Sequence, residues 1–150
     1  MNLRLLDTDH MSILRRGGAN ALRVEMRHSA VPEEEIVTCI VVYEEQIRGW
    51  MAEIARIQTG TRLLVPYDSL ATTLSIYCAM TVLPFDTQAA AHFDDLKRQH
   101  IRIGTQDLKI AAIALANDAT LNSRIGQSER SRIPFGRLCR ARGFLPAAAQ

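Results

Sequence analysis

The sequence lacks the features that mark secreted, disulfide-bonded and membrane-spanning proteins. It has three cysteines in 150 residues, widely spaced and without a CxxC pair, which predicts neither a disulfide framework nor a zinc site. Asp7, Asp9 and His10 interrupt the only early apolar run, and no stretch approaches the roughly 20 apolar residues of a spanning helix. We therefore expect a cytoplasmic protein that starts at Met1 and does not enter a membrane.

The net charge is small, and the patterns of several common catalytic sites are absent. The formal charge is +2, although sixteen of the eighteen basic residues are arginine, the better bidentate partner for phosphate. The four histidines lack metal-ligand spacing, and no glycine-rich phosphate loop precedes a helix. Neither Ser12 nor Ser75 has an identifiable base. The sequence therefore gives no support for a zinc site, a nucleotide cradle or a nucleophilic serine.

What the sequence does have is enough apolar material for one core, in alternating strands and helices. A hydrophobic content of 47% in 150 residues suits one domain. Apolar runs predict strands near 3–6, 36–42, 81–85 and 119–122. Three- to four-residue spacing predicts helices at 19–28, from Tyr43, at 69–79, from a cap at Thr87, and at 105–117. This alternation is typical of an α/β domain whose parallel sheet is covered on both faces.

Three acidic positions are predicted to lie at the carboxyl edge of this sheet, one at the end of a strand and two at the starts of helices. Asp7 closes the first strand, after which we expect a loop and a helix. Glu44 or Glu45 opens the helix after the second strand, and Asp107 opens the helix before the last strand. Because Asp107 stands three residues before Ile110, we predict that it lies on the buried side of its helix, over the sheet. Ligands of open α/β sheets bind at this edge.

Carboxylates in one partly dry crevice repel one another unless a cation neutralises them. Hard oxygen ligands suit Mg²⁺ or Mn²⁺, and such an ion activates a bound water and stabilises the charge that develops on a phosphodiester. The acids therefore favour hydrolysis of a nucleic-acid backbone. A lone Asp at a helix start is more often a cap, and we assign Asp9 and Asp86 as capping or loop residues and 33–35 as a solvated loop.

Four segments, in this order and spacing, resemble the PIN domains of VapC-type toxins. They are Leu5-Leu6-Asp7-Thr8-Asp9-His10, Glu44-Glu45-Gln46-Ile47-Arg48-Gly49, Leu83-Pro84-Phe85-Asp86 and Ile103-Gly104-Thr105-Gln106-Asp107-Leu108-Lys109-Ile110-Ala111-Ala112. The resemblance covers residues 1–124 and implies a three-layer α/β/α domain with a short parallel central sheet. It selects Glu45, because the family's catalytic Glu stands four residues before a Gly. Asp7, Glu45 and Asp107 then match the family's catalytic, metal-binding acids.

The resemblance also implies an activity and partners. It implies a Mg²⁺-dependent endoribonuclease that often acts on structured RNA such as tRNA, forms a homodimer and is inhibited by a cognate antitoxin. The alternative is a degenerate PIN domain that binds antitoxin or RNA with little or no cleavage. A receiver-like signalling domain would share the fold, but it requires a lysine late in the chain, and the last one here is Lys109.

The match ends at a divergent, Arg-rich tail, residues 125–150. Where the family shows Thr-Arg-Asn followed by Asp-Phe, this chain reads Ser123-Arg124-Ile125-Gly126-Gln127-Ser128-Glu129. The family's fourth acid is therefore missing or displaced to Glu129, and loss of one ligand would impair the activity. Two explanations stay open: a frameshift near codon 125, or natural divergence in which Glu129 takes the role.

Overall fold

The computed structural model describes residues 3–30 and 32–122. Its elements are, in chain order, β1 Arg4–Leu6, α1 Thr8–Arg16, α2 Gly18–His28, a 3₁₀ turn Glu33–Glu35, β2 Ile36–Cys39, α3 Ile40–Arg56, α4 Gly60–Cys78, β3 Thr81–Leu83, α5 Thr87–Arg98, α6 Thr105–Ala116 and β4 Thr120–Asn122. The tail 125–150 and Glu129 lie outside the described residues. The division of the chain at residue 124 and both explanations of the tail therefore stay predictions.

The four strands form one parallel sheet in the order β3-β2-β1-β4. Leu5 in β1 is in register with Val37 of β2 on one side and with Leu121 of β4 on the other. Parallel neighbours need crossover connections, and helices separate each pair of strands that follow one another in the sequence. The predicted α/β fold with a short parallel central sheet is confirmed.

The core is built around the central strand β1. Leu5 and Leu6 are 0% and 1% exposed, and Val37 beside them is also fully buried. These side chains pack in one cluster with Val42 of α3 and Ile113 of α6. A second, smaller cluster joins α5 to α6. Because strands of three or four residues supply few ladder hydrogen bonds, burial against the helices is what holds them in place.

The boundary between β2 and α3 differs from the prediction. The apolar run 36–42 was expected to be a strand throughout, but β2 ends at Cys39 and α3 begins at Ile40. Val41 and Val42 are buried within the first turn of α3. A short apolar run cannot distinguish a buried strand from a buried helical turn, so here one run covers the end of one element and the start of the next.

Helix α4 is longer than its predicted range of 69–79, because it starts at Gly60. Gly60 and Pro66 both lie within it, and both residue types usually mark helix boundaries. Its first turns also carry exposed apolar side chains, Leu64 and Val65, which obscure the amphipathic pattern. Although α4 has 19 residues, within the described ranges no helix is both long and apolar enough to cross a membrane.

Two helix caps are placed differently from the prediction. The cap of α5 is Asp86, whose side chain accepts a hydrogen bond from the Ala89 amide at 2.9 Å. Thr87 is therefore the first helical residue rather than the cap, and the capping role assigned to Asp86 is confirmed. At α1, Asp9 lies in the first helical turn and Asp7 is the cap, so the expected role of Asp9 and the expected loop after Asp7 are wrong.

Replacing Leu5 by alanine removes a fully buried side chain from the centre of the sheet. We expect the free energy of unfolding to fall by about 2–5 kcal/mol, from lost transfer energy and from the cavity left behind. The matched control is Leu64→Ala on α4, where the side chain is 70% exposed and the change should stay below about 0.5 kcal/mol. Urea unfolding followed by circular dichroism measures both, and equal losses would contradict the placement of Leu5.

Candidate active site

Asp7 directly follows β1 and caps α1. Its backbone is extended, with φ −81° and ψ 179°, and its Oδ1 accepts a hydrogen bond from the His10 amide at 3.0 Å. A short polar side chain at this position satisfies an amide that the first helical turn leaves unpaired. The strand therefore passes into the helix without a loop, and the carboxylate stays at the carboxyl edge of the sheet.

The imidazole of His10 makes a second contact with the same carboxylate. Its Nδ1 lies 2.8 Å from Asp7 Oδ1, and its side chain is 3% exposed while that of Asp7 is 19% exposed. Spacing among the histidines did not reveal this contact. The sequence signal for this contact is that His10 stands three residues after Asp7 at the start of a helix. This spacing brings the cap side chain close to the third helical residue.

Glu45 lies in the second turn of α3 and contacts the segment that follows β1. Thr8, the residue after Asp7, donates a hydrogen bond from its Oγ1 to Glu45 Oε2. Both side chains are half-buried. The bond crosses between the neighbouring strand ends of β1 and β2, so that Asp7 and Glu45 lie at the same edge of the sheet.

Glu44, the alternative that periodicity left open, makes different contacts. It is exposed, pairs with Arg48 on its own helix and accepts a hydrogen bond from Gln106 Nε2 at 3.3 Å. The bond from Gln106 is the main cause that lowers the pKa of the Glu44 carboxyl, and the charges of Arg48 and Lys109 lower it further. This bond also ties the first turn of α6 to α3, next to Glu45.

Asp107 lies in that first turn of α6, and its side chain is exposed. The prediction that it lies on the buried side of the helix is wrong. Every residue from Ile110 to Ala114 is buried, so the apolar residues of α6 surround most of the helix, and a three-residue spacing does not define one face. The first turn of α6 is not buried by the rest of the domain, since Thr105 is exposed as well.

Gly104, immediately before α6, leaves space for the Asp107 carboxylate. A Cβ atom at position 104 would lie 3.3 Å from Asp107 Oδ2, closer than an ordinary van der Waals contact. The φ angle of Gly104 is −60°, which any residue can adopt, so a side chain at this position would be opposed only by its contact with the Asp107 carboxylate. Sequence reasoning missed Gly104, because a glycine before a helix is usually only a boundary marker.

The three predicted acids share one edge of the sheet but do not form a closed cluster. Within residues 3–30 and 32–122, no three acidic, histidine or cysteine side chains are placed to hold one metal ion together. The donor set nevertheless fits Mg²⁺ or Mn²⁺, since Asp7, Glu45 and Asp107 all offer hard carboxylate oxygens. They remain the predicted ligands: their oxygens are of the right chemical type, but the three carboxylates do not converge on one point.

Two buried titratable groups lie close to Glu45. Cys39, which ends β2, is 0% exposed, and Tyr77 of α4 is 5% exposed. Burial is the main cause that raises the pKa of both groups, and the charge of Glu45 raises both further. The Tyr77 hydroxyl lies near Thr38 but completes no hydrogen bond within the described residues. Both groups stay neutral at physiological pH and add no charge to the site.

The fold and the site together define an α/β domain with acidic side chains at the carboxyl edge of a short parallel sheet. The sequence profile of the PIN domain matches residues 5–124. The chain belongs to the PIN domain family, as the four segments predicted. A comparison with curated protein sequences gave no match.

Several solved structures share this fold, and they include toxin–antitoxin complexes. A chain of VapBC2 from Rickettsia felis, bound to a DNA fragment from its promoter, matches with a TM-score of 0.59 and 16% identity over 82% of this chain and 87% of that one. A chain of VapBC-1 from nontypeable Haemophilus influenzae gives 0.60 and 24% over 81% and 86%. A toxin–antitoxin complex from Klebsiella pneumoniae gives 0.61 and 17% over 88% and 93%.

Replacing Tyr77 by phenylalanine removes a buried hydroxyl that lacks a hydrogen-bond partner among the described residues. We expect the free energy of unfolding to stay the same or to rise by up to about 1 kcal/mol, since an unpaired buried polar group is costly. Tyr67→Phe on α4 is the control, because Tyr67 is 53% exposed. Urea unfolding of both variants is the measurement. A clear destabilisation by Tyr77→Phe alone would show that the hydroxyl does have a partner.

Proposed function

We propose that this chain is a metal-dependent endoribonuclease of the VapC type, which hydrolyses RNA phosphodiester bonds. One observation carries the proposal: a PIN domain in which the Thr8–Glu45 and Gln106–Glu44 hydrogen bonds bring together the segments that carry Asp7, Glu45 and Asp107. The carboxyl edge of the strands is where open α/β sheets bind their ligands. Hard carboxylate ligands and phosphodiester chemistry both suit Mg²⁺ or Mn²⁺.

Asp7, Glu45 and Asp107 would hold the cation. When bound, it supplies a water of lowered pKa and offsets the negative charge that develops on the scissile phosphate. The protein positions the ligands: the Thr8 hydroxyl holds Glu45 Oε2 toward the end of β1, and Gly104 leaves room for Asp107. Because three carboxylates repel one another, a cation among them would favour their closer approach.

The proposed substrate is RNA, with tRNA as the first candidate. Arg48 contacts Glu44 directly, and Lys109 acts on the same carboxyl through its charge. Both cations therefore lie near the edge that carries Glu45 and Asp107. Positive side chains beside a phosphodiester-cleaving site would draw the RNA backbone toward it, and this attraction would weaken with added salt.

A cognate antitoxin and a second copy of the chain are the proposed protein partners, and the cytoplasm is the proposed location. Leu22 and Met26 on α2 are 59% and 74% exposed, and they stand one helical turn apart, on the same face. On α4, Leu64 and Val65 are 70% and 72% exposed. Large exposed apolar side chains support a partner-binding role, as does the presence of toxin–antitoxin complexes among the solved structures of this fold.

A degenerate PIN domain that binds antitoxin or RNA with little cleavage is the second candidate. The observation that favours it is the open spacing of the acids, since no three ligands within residues 3–30 and 32–122 converge on one point. Glu129, the only candidate for the family's fourth acid, lies outside the described residues. The two candidates differ in whether the folded protein cuts RNA.

Asp7→Asn, Glu45→Gln and Asp107→Asn each remove one negative charge while keeping the shape of the side chain. We expect each to lower Mg²⁺- or Mn²⁺-dependent cleavage of a total tRNA pool by about 100-fold or more. Loss of a residue that only contacts a metal ligand costs roughly 10–100-fold, and loss of the ligand itself should cost more. Asp68→Asn, an exposed carboxylate on α4, is the matched control and should cut at the wild-type rate. Gel electrophoresis of end-labelled tRNA measures all four variants, with EDTA as the metal control.

Cleavage that persists in EDTA would contradict the proposal. A loss of cleavage in Asp68→Asn as large as the loss in the other three variants would contradict it as well. A folded wild-type protein that binds tRNA without cutting it would favour the degenerate domain. Glu129→Gln adds a further arm to the assay. A loss comparable to that of Asp107→Asn would assign Glu129 as the fourth acid, whereas an unchanged rate would mean that the other three suffice.

A further inference from the structure

His10 is a polar side chain buried in the wall of the candidate site. This side chain is 3% exposed, and its Nδ1 lies 2.8 Å from Asp7 Oδ1. An ionised carboxylate only accepts hydrogen bonds, so the tautomer that completes this contact is the one that carries its proton on Nδ1. Burying an imidazole is costly unless its polar atoms find partners, and this contact supplies one.

Two donors of the same residue converge on one oxygen of Asp7. The backbone amide of His10 reaches Oδ1 at 3.0 Å, and the ring Nδ1 reaches it at 2.8 Å. A carboxylate oxygen has two lone pairs, and these two bonds occupy both. Among the described residues, no donor is bonded to Oδ2, which leaves this oxygen to a ligand.

We propose that His10 is a positioning residue, which holds Asp7 so that Oδ2 faces the divalent cation. This inference rests on the proposed function. A single cap bond would let the carboxylate rotate about its last torsion and exchange its two oxygens. A second donor, held by a buried ring, opposes that exchange, and partners of this kind orient metal-binding carboxylates in other proteins.

A purely structural role for His10 predicts something different. The cap bond is made by the backbone amide of residue 10 and does not involve its side chain. If the ring only packed against α1, its replacement would alter the stability of the protein and leave metal affinity unchanged. If the ring orients Asp7, its replacement would alter metal affinity even in a variant that is as stable as the wild type.

The test compares His10→Leu, His10→Asn and the control His92→Leu in the full-length protein, since His92 is a half-buried histidine of α5, the helix that starts at Thr87. Leucine removes the donor, whereas the amide nitrogen of asparagine occupies nearly the position of Nδ1. Isothermal titration calorimetry with Mn²⁺ measures the metal Kd, thermal unfolding in EDTA measures stability, and tRNA cleavage gives kcat and KM. We expect His10→Leu to raise the Mn²⁺ Kd by about 10–100-fold and to lower kcat at fixed Mn²⁺ with little change in KM. His10→Asn should recover most of the affinity, and His92→Leu should match the wild type.

Wild-type Mn²⁺ affinity in His10→Leu, in a protein that still cuts tRNA, would overturn the positioning role and leave the proposed function standing. A wild-type protein that neither binds Mn²⁺ nor cuts RNA would overturn both. Should His10→Leu fail to fold, His10→Asn is compared with His10→Gln, whose amide nitrogen reaches the position of Nε2 instead. Tighter Mn²⁺ binding by the asparagine variant supports the role of His10, and equal binding overturns it.

Discussion

The parallel pairing of β1 with both β2 and β4 is the constraint on which the rest of the domain depends. Since β1 and β2 run in the same direction, the residues after them emerge at one edge, and this places Asp7 beside the start of α3. Helix α6 leads into β4, which is also parallel to β1, and the hydrogen bond from Gln106 to Glu44 places the first turn of α6 beside α3. The common location of Asp7 and Glu45 therefore follows from the strand order, and the bond from Gln106 brings the first turn of α6, which carries Asp107, to the same place.

Asp7 links the stability of the fold to the proposed chemistry. As the cap of α1, it satisfies an amide of the first turn and places a negative charge at the positive end of the helix. As a metal ligand, it would have to present an oxygen to the cation. One carboxylate can do both because it has two oxygens, and the donors of His10 converge on only one of them.

The strand and helix order was predictable from the sequence, because short apolar runs alternate along the chain with segments of three- to four-residue apolar spacing. The β2–α3 boundary was not, since Val41 and Val42 are buried on either assignment, and the start of α4 was concealed by Gly60 and Pro66. The resemblance to the PIN family identified the three acids, but it did not predict the hydrogen bonds that hold them in place. The bond from Thr8 to Glu45 joins residues 37 positions apart and exists only once the sheet has formed.

At Gly104, the effect of a substitution on folding can be separated from its effect on the candidate site. Its backbone angle suits any residue, and the side chain that a substitution would crowd belongs to the exposed Asp107, which can move without opening the core. In a saturation mutagenesis library, small residues at position 104 would therefore give normal amounts of folded protein while changing the position of an acidic group at the sheet edge. Such substitutions would leave abundance unchanged while altering the proposed RNA cleavage, so comparing the two readouts would locate the site without any assay of metal binding.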